Sequence, residues 1–304
     1  MKKIFVDGQE GTTGLQLREK LLVRKDIELL EIEPELRKDT VRKAELLNAA
    51  DVAFLCLPDD AAKESVALVK NSNTVVIDTS TAHRTNDAWA YGLPELSFKH
   101  KEAIQKSKRI ANPGCHATGF LLAVYPLVAK GVIKTDENLS CYSLTGYSGA
   151  GKKTIAEYQE KFKHVKFESE SVLASKPYAL GLCHKHLPEM QKIAGLSKPP
   201  LFNPVIGPYC QGMAVSVGLF LNMLTGVNSL DGLRDFLAAY YRDCEFVSVV
   251  PAGENPVMLD PTICNGTNNA KIFVFGREEH GQITVVLDNL GKGASGAALQ
   301  NMDL

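Results

Sequence analysis

The first third of the chain alternates short apolar runs with stretches whose apolar residues recur at helical spacing. The runs predict buried strands, and the stretches between them predict helices. The predicted strands are residues 4–6, 27–32, 51–58, 74–78 and 109–111, and two of the predicted helices are residues 41–50 and 61–69. This alternation predicts a doubly wound α/β fold, a parallel sheet with helices on both faces.

Beyond residue 115 the pattern changes. A helix is predicted from residue 115, and strands then dominate, with one further helix at 230–241. The predicted strands are residues 139–144, 211–221, 246–250, 270–275 and 282–288. Such runs predict a second, α+β domain on a mostly antiparallel sheet, one face of which is a natural dimer surface. The charged segment 161–176 reads as solvated surface, and Ser295 is the predicted N-cap of a terminal helix.

Composition narrows the class of protein. The 304 residues are 45% hydrophobic and 23% charged, which is ordinary for a soluble two-domain protein. A net charge of -1 argues against a general nucleic-acid binder or a membrane anchor. Seven scattered cysteines without CxxC pairs indicate neither a disulfide framework nor a metal site. With no signal peptide and no apolar run of membrane-spanning length, a cytoplasmic location is expected.

A glycine-rich turn follows the first predicted strand and opens a helix. Gly8, Gly11 and Gly14, with Thr12 and Thr13 between them, form a G-x-x-G-x-x-G spacing that only partly matches the dinucleotide fingerprint. Its position between a strand and a helix favours phosphate binding by helix N–H groups. The alternative is a tight turn without a ligand.

The ends of the other parallel strands add cofactor-binding candidates. Pro58 ends the third strand and Ser80 follows the fourth, at the sheet edge where nucleotides bind. After the second strand, an acid such as Glu31 or Glu33 suits the ribose of NAD, whereas Arg37 or Lys38 suits the 2′-phosphate of NADP. The residues themselves leave this choice open.

Cys115 stands where a loop becomes a helix. Asn112, Pro113 and Gly114 are loop residues, and the residues behind Cys115 have helical spacing. A helix N-terminus favours a thiolate and aims N–H donors at an oxyanion beside the sulfur. Because Cys115 also follows a strand of the parallel sheet, we interpret it as a nucleophile rather than an inert packing cysteine.

Three other groups are candidates for binding or proton transfer. His184, His186 and Glu189 can supply a general acid/base with an orienting carboxylate, or can form a surface pair. The glycine-rich loop containing Ser148 and Gly149 suits a phosphate or carboxylate, or is a flexible connection. Arg84 can bind an anion bidentately, or is an exposed loop arginine.

Motifs spanning nearly the whole chain resemble the shorter bacterial form of the N-acetyl-γ-glutamyl-phosphate reductase family, related to the aspartate-semialdehyde dehydrogenases. The resemblance is carried by seven segments, residues 7–16, 56–61, 78–85, 112–115, 146–152, 184–189 and 290–298. His116, where an aromatic residue is often found, and Ala150, where the loop often has glycine, depart from the family pattern.

The resemblance implies an NADP-binding Rossmann domain of residues 1–113 and 291–304, and a catalytic and dimerisation domain of residues 114–290. It implies NADPH as the cofactor, with Arg37 or Lys38 at the 2′-phosphate. It also implies a small acyl-phosphate substrate of arginine biosynthesis and a homodimer or homotetramer.

By the same resemblance Cys115 is the nucleophile, His186 the proton-transfer group and Glu189 its orienter. Arg84, Asn112, Ser148, Gly149 and His184 are the candidate substrate-binding residues, and no metal is expected. Two other functions stay open: reduction of a different acyl phosphate, as in aspartate-semialdehyde dehydrogenases, and non-catalytic sensing of NADP.

Overall fold

In a computed structural model that describes residues 1–163, 174–277 and 279–304, the chain divides into two units. One comprises Met1–Gly114 with Ala294–Leu304, and the other Cys115–Gly293. Residues 164–173 of the predicted solvated segment lie outside the described residues. In the part of the chain that is described, no helix is long and apolar enough to cross a membrane.

The first unit contains a six-stranded sheet in the order β2-β1-β3-β4-β6-β5, and every pairing in it is parallel. The strands are β1 (Lys2–Asp7), β2 (Ile27–Leu30), β3 (Val52–Leu55), β4 (Val75–Asp78), β5 (Ala90–Tyr91) and β6 (Arg109–Ala111). The helices are α1 (Thr12–Leu22), α2 (Thr40–Ala49), α3 (Asp59–Leu68), α4 (Phe98–Lys106) and α9 (Gly296–Asp303). The predicted doubly wound fold is confirmed.

Two cores sandwich this sheet, because successive side chains of a strand point to opposite faces. Ile4 and Val6 of β1 pack in one cluster with Leu17 of α1 and with residues of α9. Phe5 points the other way and packs in a second cluster with Leu47 of α2. The central strands are therefore apolar on both faces, which explains their continuous hydrophobic runs.

The second unit contains a seven-stranded mixed sheet in the order β11-β12-β13-β10-β7-β9-β8. The strands are β7 (Ser140–Gly146), β8 (Lys176–Pro177), β9 (Leu201–Gly207), β10 (Met213–Phe220), β11 (Val247–Val249), β12 (Ala270–Arg277) and β13 (His280–Leu287). The helices are α5 (Cys115–Ala129), α6 (Lys152–Phe162), α7 (Leu187–Ala194) and α8 (Leu230–Tyr240). Four pairings are antiparallel, whereas β7–β9 and β11–β12 are parallel.

Several elements differ from the sequence predictions. Strand β2 ends at Leu30 rather than residue 32, because Pro34 begins a 3₁₀ turn. Strand β9 was not predicted, since Pro204 interrupts its apolar pattern. Helices α4 and α7 were also missed.

Ser295 lies at the N-cap position of α9, as predicted, but its side chain makes no capping hydrogen bond. A π-helix over Gly291–Ser295 already precedes α9, so Ser295 has helical backbone angles.

Candidate active site

Cys115 is the first residue of α5, as the loop-to-helix pattern predicts, and its side chain is half-buried. Helix α5 is apolar on nearly all sides and packs on β10 and β13. A Cβ on Gly119 would lie 2.4 Å from Val215 Cγ2, so only glycine lets the helix approach β10 this closely. This contact fixes the height of the helix above the sheet one turn after Cys115.

Gly293 lies against the nucleophile candidate from the far end of the same unit. A Cβ on Gly293 would be 2.6 Å from Cys115 Cβ and 3.2 Å from the Asp288 carbonyl oxygen. The Gly293 N–H donates to that carbonyl at 2.9 Å, which holds the backbone in place. Lys292 beside it is fully buried, a cation that sequence reasoning missed.

Three histidines meet at the start of α5. The ring of His116, next in the chain to Cys115, lies 5.4 Å from the ring of His184 and 5.5 Å from that of His186, centroid to centroid. The His184 and His186 rings are 4.7 Å apart, and the His186 N–H donates to His184 Nδ1 at 3.1 Å. The structure therefore brings both predicted histidines to the residue that follows Cys115.

His186 and Glu189 belong to the start of α7. His186 is the N-cap residue of this helix and Glu189 lies in its first turn, where the helix dipole favours a carboxylate. Both side chains are buried, at 5% and 1% exposure. The start of α7 therefore presents a buried histidine and a buried carboxyl group three residues apart, the two residue types that general acid/base chemistry uses.

Three residues of this cluster were not foreseen as site residues. The ring nitrogens of His116 lie 2.7 Å from Ser143 Oγ and 2.8 Å from Tyr178 Oη. Burial lowers the pKa of His116 to about 3, with smaller contributions from His184 and Lys185, so this imidazole is neutral at physiological pH. The only signal in the sequence was that His116 departs from the aromatic residue often found there.

The loop containing Ser148 and Gly149 forms a 3₁₀ turn between β7 and α6. Ser148 is buried, and its Oγ accepts a hydrogen bond from Asn289 Nδ2 at 2.9 Å. Asn289 Oδ1 in turn accepts from the Gly212 N–H at 2.8 Å. These hydrogen bonds give the loop a defined conformation, so it is not a flexible connection. Gly149 lies on its exposed side.

In the first unit, the three glycines of the glycine-rich turn differ in the space that a side chain would have. Gly8 has φ +85°, and a Cβ on it would lie 2.3 Å from the Cys56 carbonyl oxygen. A Cβ on Gly14 would lie 2.3 Å from the Gly8 carbonyl oxygen. On Gly11 the nearest atom would be 3.5 Å away, an ordinary contact. The fold requires Gly8 and Gly14, whereas it leaves open the space in front of Gly11.

The other cofactor-binding candidates lie around this turn or on neighbouring strand ends. Thr12 and Thr13 begin α1, and Pro58 is the N-cap residue of α3. The Ser80 N–H and hydroxyl both donate to the buried Asp78 carboxylate, at 2.9 and 2.7 Å, which fixes the loop after β4.

The charged residues after β2 form ion pairs. Arg37 Nη2 lies 3.0 Å from Glu10 Oε1, so the guanidinium reaches the glycine-rich turn, while Lys38 is exposed. Both candidate ribose-binding acids are paired with arginines, Glu31 with Arg18 and Glu33 with Arg42.

Arg84 and Asn112 are buried within the first unit, at 8% and 1% exposure. Arg84 Nε donates to the Asn112 carbonyl and Nη2 to the Thr79 carbonyl, both at 2.9 Å. The Asn112 side chain donates to the Ala294 carbonyl and accepts from Asn301 Nδ2, both at 3.1 Å. Arg84 is therefore not an exposed loop arginine, and two of its donors are already committed to the backbone.

Family models divide the chain at the same place as its two units. Residues 6–106 match the semialdehyde dehydrogenase NAD binding domain, and residues 115–289 match the semialdehyde dehydrogenase dimerisation domain. The chain is therefore a two-domain oxidoreductase of the semialdehyde dehydrogenase class, and its first domain binds a nicotinamide cofactor.

Solved structures agree on the fold. The aspartate semialdehyde dehydrogenase II of Vibrio cholerae, complexed with ASA, covers 100% of this chain and 97% of its own, with a TM-score of 0.73 at 16% identity. The enzyme of Francisella tularensis gives a TM-score of 0.75 at 15% identity, covering 100% and 99%.

Curated relatives identify the family. N-acetyl-gamma-glutamyl-phosphate reductase of Chelativorans sp. is 46% identical over 99% of this chain and 97% of its own length. The reductase 2 of Pseudomonas putida is 43% identical over 99% and 96%. This chain belongs to the N-acetyl-γ-glutamyl-phosphate reductase family.

Proposed function

We propose that the chain catalyses the NADPH-dependent reduction of N-acetyl-γ-glutamyl phosphate to N-acetylglutamate semialdehyde and phosphate, a step of arginine biosynthesis. One observation carries the proposal: Cys115 begins a helix whose second residue, His116, lies against the rings of His184 and His186, in a chain 42–46% identical to reductases of this name.

The proposed chemistry begins at the Cys115 sulfur. The thiolate attacks the acyl carbon, the C–O bond to phosphate breaks, and a thioester remains on Cys115. N–H groups at the start of α5 stabilise the oxyanion that forms during the attack. A reduced nicotinamide cofactor held by the glycine-rich turn, Thr12 and Thr13 would supply the hydride that brings the thioester to the aldehyde oxidation level. His186, oriented by Glu189, then donates a proton as the C–S bond breaks, and the aldehyde leaves.

For the substrate we propose contacts from His184 and from the loop at Ser148 and Gly149. The Ser148 hydroxyl is held by Asn289, and Gly149 leaves its side of the loop open to a phosphate or carboxylate. We assign Arg84 and Asn112 a positioning role in the loop before Cys115, because their polar groups bond to the backbone and to Asn301.

For the cofactor we propose NADP(H), bound at the glycine-rich turn, at Thr12 and Thr13, and along the loops at Pro58 and Ser80. The open space at Gly11 fits a pyrophosphate at the start of α1. Arg37 already reaches this turn, and an exposed ion pair like that with Glu10 is worth only about 0–1 kcal/mol, so a 2′-phosphate can replace the carboxylate. Lys38 lies next to it in the chain.

We further propose a homodimer or homotetramer formed through the second unit. The sheet face that bears Tyr142, Leu144 and Phe275 carries a groove of about 300 Å³. Nearby, Val257 is fully exposed, and such apolar exposure on a domain of the dimerisation type favours association with a second copy.

The decisive assay runs the reaction in reverse. We expect phosphate-dependent reduction of NADP with N-acetylglutamate semialdehyde, and a much lower rate with aspartate semialdehyde or with NAD in place of NADP. A higher kcat/KM for aspartate semialdehyde would assign the chain to the other acyl-phosphate reduction. Faster turnover with NAD would overturn the proposed role of Arg37 while leaving the substrate assignment intact.

Two glycine variants test the cofactor site. We expect Gly11→Ala to leave the free energy of unfolding within about 0.5 kcal/mol of wild type, while the Kd for NADPH rises by about tenfold or more as the methyl group enters the phosphate position. Gly14→Ala should instead lower the free energy of unfolding by about 1–3 kcal/mol, because its Cβ meets the Gly8 carbonyl. Urea unfolding and NADPH fluorescence titration measure the two effects. Unchanged NADPH affinity in Gly11→Ala would mean that the pyrophosphate does not lie there.

A further inference from the structure

Ser143, His116 and Tyr178 form a hydrogen-bonded chain that ends at a phenol. His116 Nδ1 lies 2.7 Å from Ser143 Oγ, and His116 Nε2 lies 2.8 Å from Tyr178 Oη. His116 is 3% exposed and Ser143 is fully buried, whereas Tyr178 is half-buried. The chain therefore runs from the sheet interior, through the residue that follows Cys115, towards solvent.

The direction of these hydrogen bonds follows from the protonation of His116. Its neutral ring carries one N–H, so one ring nitrogen donates and the other accepts. Among the described residues, Ser143 Oγ has His116 Nδ1 as its one hydrogen-bond partner. A buried hydroxyl proton needs an acceptor, so Ser143 donates to Nδ1.

The tautomer then determines what the phenol can do. With Nδ1 accepting, the proton of His116 is on Nε2, and this N–H donates to Tyr178 Oη. The proton of Tyr178 is consequently directed away from His116 and is available to another acceptor. Burial, and secondarily the negative charge of Cys115, raises the pKa of Tyr178, so the phenol keeps its proton and lies within electrostatic reach of the sulfur.

We propose that Tyr178 is a catalytic residue that donates a hydrogen bond to the oxyanion formed when Cys115 attacks the acyl carbon, and that His116 and Ser143 are positioning residues. The proposal rests on the proposed function, since it needs a tetrahedral intermediate at Cys115. No proton is transferred by Tyr178; its O–H bond stays intact, and its hydrogen bond strengthens as negative charge develops.

The test compares Tyr178→Phe, Ser143→Ala and the double variant in the semialdehyde assay. Removing one oxyanion donor should lower kcat by about 10²-fold in Tyr178→Phe, with KM within about twofold of wild type. In Ser143→Ala, His116 Nδ1 no longer accepts a hydrogen bond, so the ring proton can move to Nδ1. Nε2 then becomes an acceptor to which Tyr178 can donate, and kcat should fall less than in Tyr178→Phe. In the Tyr178→Phe background, Ser143→Ala should have no further effect, because the proton that it redirects is gone.

Tyr158→Phe is the matched control, since Tyr158 is a buried tyrosine of the same unit whose hydroxyl has no hydrogen-bond partner among the described residues. We expect its kcat to be unchanged, and thermal unfolding should show all variants folded. A kcat for Tyr178→Phe within threefold of wild type, or an equal Ser143→Ala effect in both backgrounds, would overturn the role of Tyr178 alone. A wild-type protein without phosphate-dependent turnover would instead overturn the proposed function.

Discussion

Cys115→Ser is expected to abolish phosphate-dependent reduction of NADP, lowering kcat/KM by about 10⁴-fold or more. A serine hydroxyl at the start of α5 can occupy the same place, but it is a far weaker nucleophile at neutral pH and forms no thioester. Because the substitution changes one atom at a half-buried side chain, the fold and the affinity for NADPH should both be retained. Steady-state kinetics and NADPH titration measure these quantities.

Cys244→Ser is the matched control, because Cys244 is also half-buried in the second unit and lies in the turn that follows α8. It should turn over like wild type. Turnover retained by Cys115→Ser would exclude the covalent route, whatever the substrate. A wild-type protein that binds NADPH, turns over no semialdehyde and has a Cys115 no more reactive to iodoacetamide than Cys244 would be a nucleotide sensor instead.

The parallel sheet could be predicted because its signals are local. Strands β1 and β3 are short apolar runs, and a strand buried on both faces gives no other pattern. The position of Cys115 was predictable for the same reason, since a loop motif directly precedes an apolar helix. Strand β9 could not be predicted, because Pro204 weakens its apolar pattern. In addition, its partner β7 lies more than fifty residues earlier in the chain.

The contacts of the site depend on pairings that no local pattern encodes. His116, Ser143 and Tyr178 come from a helix, a strand and the segment after β8. Only the tertiary fold places the two ring nitrogens of His116 within 3 Å of the two hydroxyl oxygens. Burial of Arg84 was hidden likewise, because its acceptors are backbone carbonyls, which any sequence supplies. Sequence chemistry therefore predicts which groups can react, whereas packing decides which of them meet.

Among residues that take no direct part in the reaction, Gly293 is where we expect substitution by alanine to lower kcat/KM most. The added Cβ would stand 2.6 Å from Cys115 Cβ, well inside contact distance. Neither the Gly293 backbone nor α5 can easily move away from the other. The Gly293 N–H donates to the Asp288 carbonyl, and Gly119 holds α5 in close contact with Val215. The nucleophile must then shift by about an ångström, and such a displacement costs about 10²-fold in kcat/KM.

The free energy of unfolding in Gly293→Ala should fall by only about 1–3 kcal/mol, the usual cost of overpacking, so the variant remains folded. Gly253→Ala is the matched control, because a Cβ there has nothing within 4 Å, and both its stability and its kinetics should match wild type. Measured together, kcat/KM and urea unfolding separate displacement of the sulfur from general loss of structure. Wild-type kinetics in Gly293→Ala would show that catalysis tolerates movement of Cys115, and that the close approach of the π-helix serves packing alone.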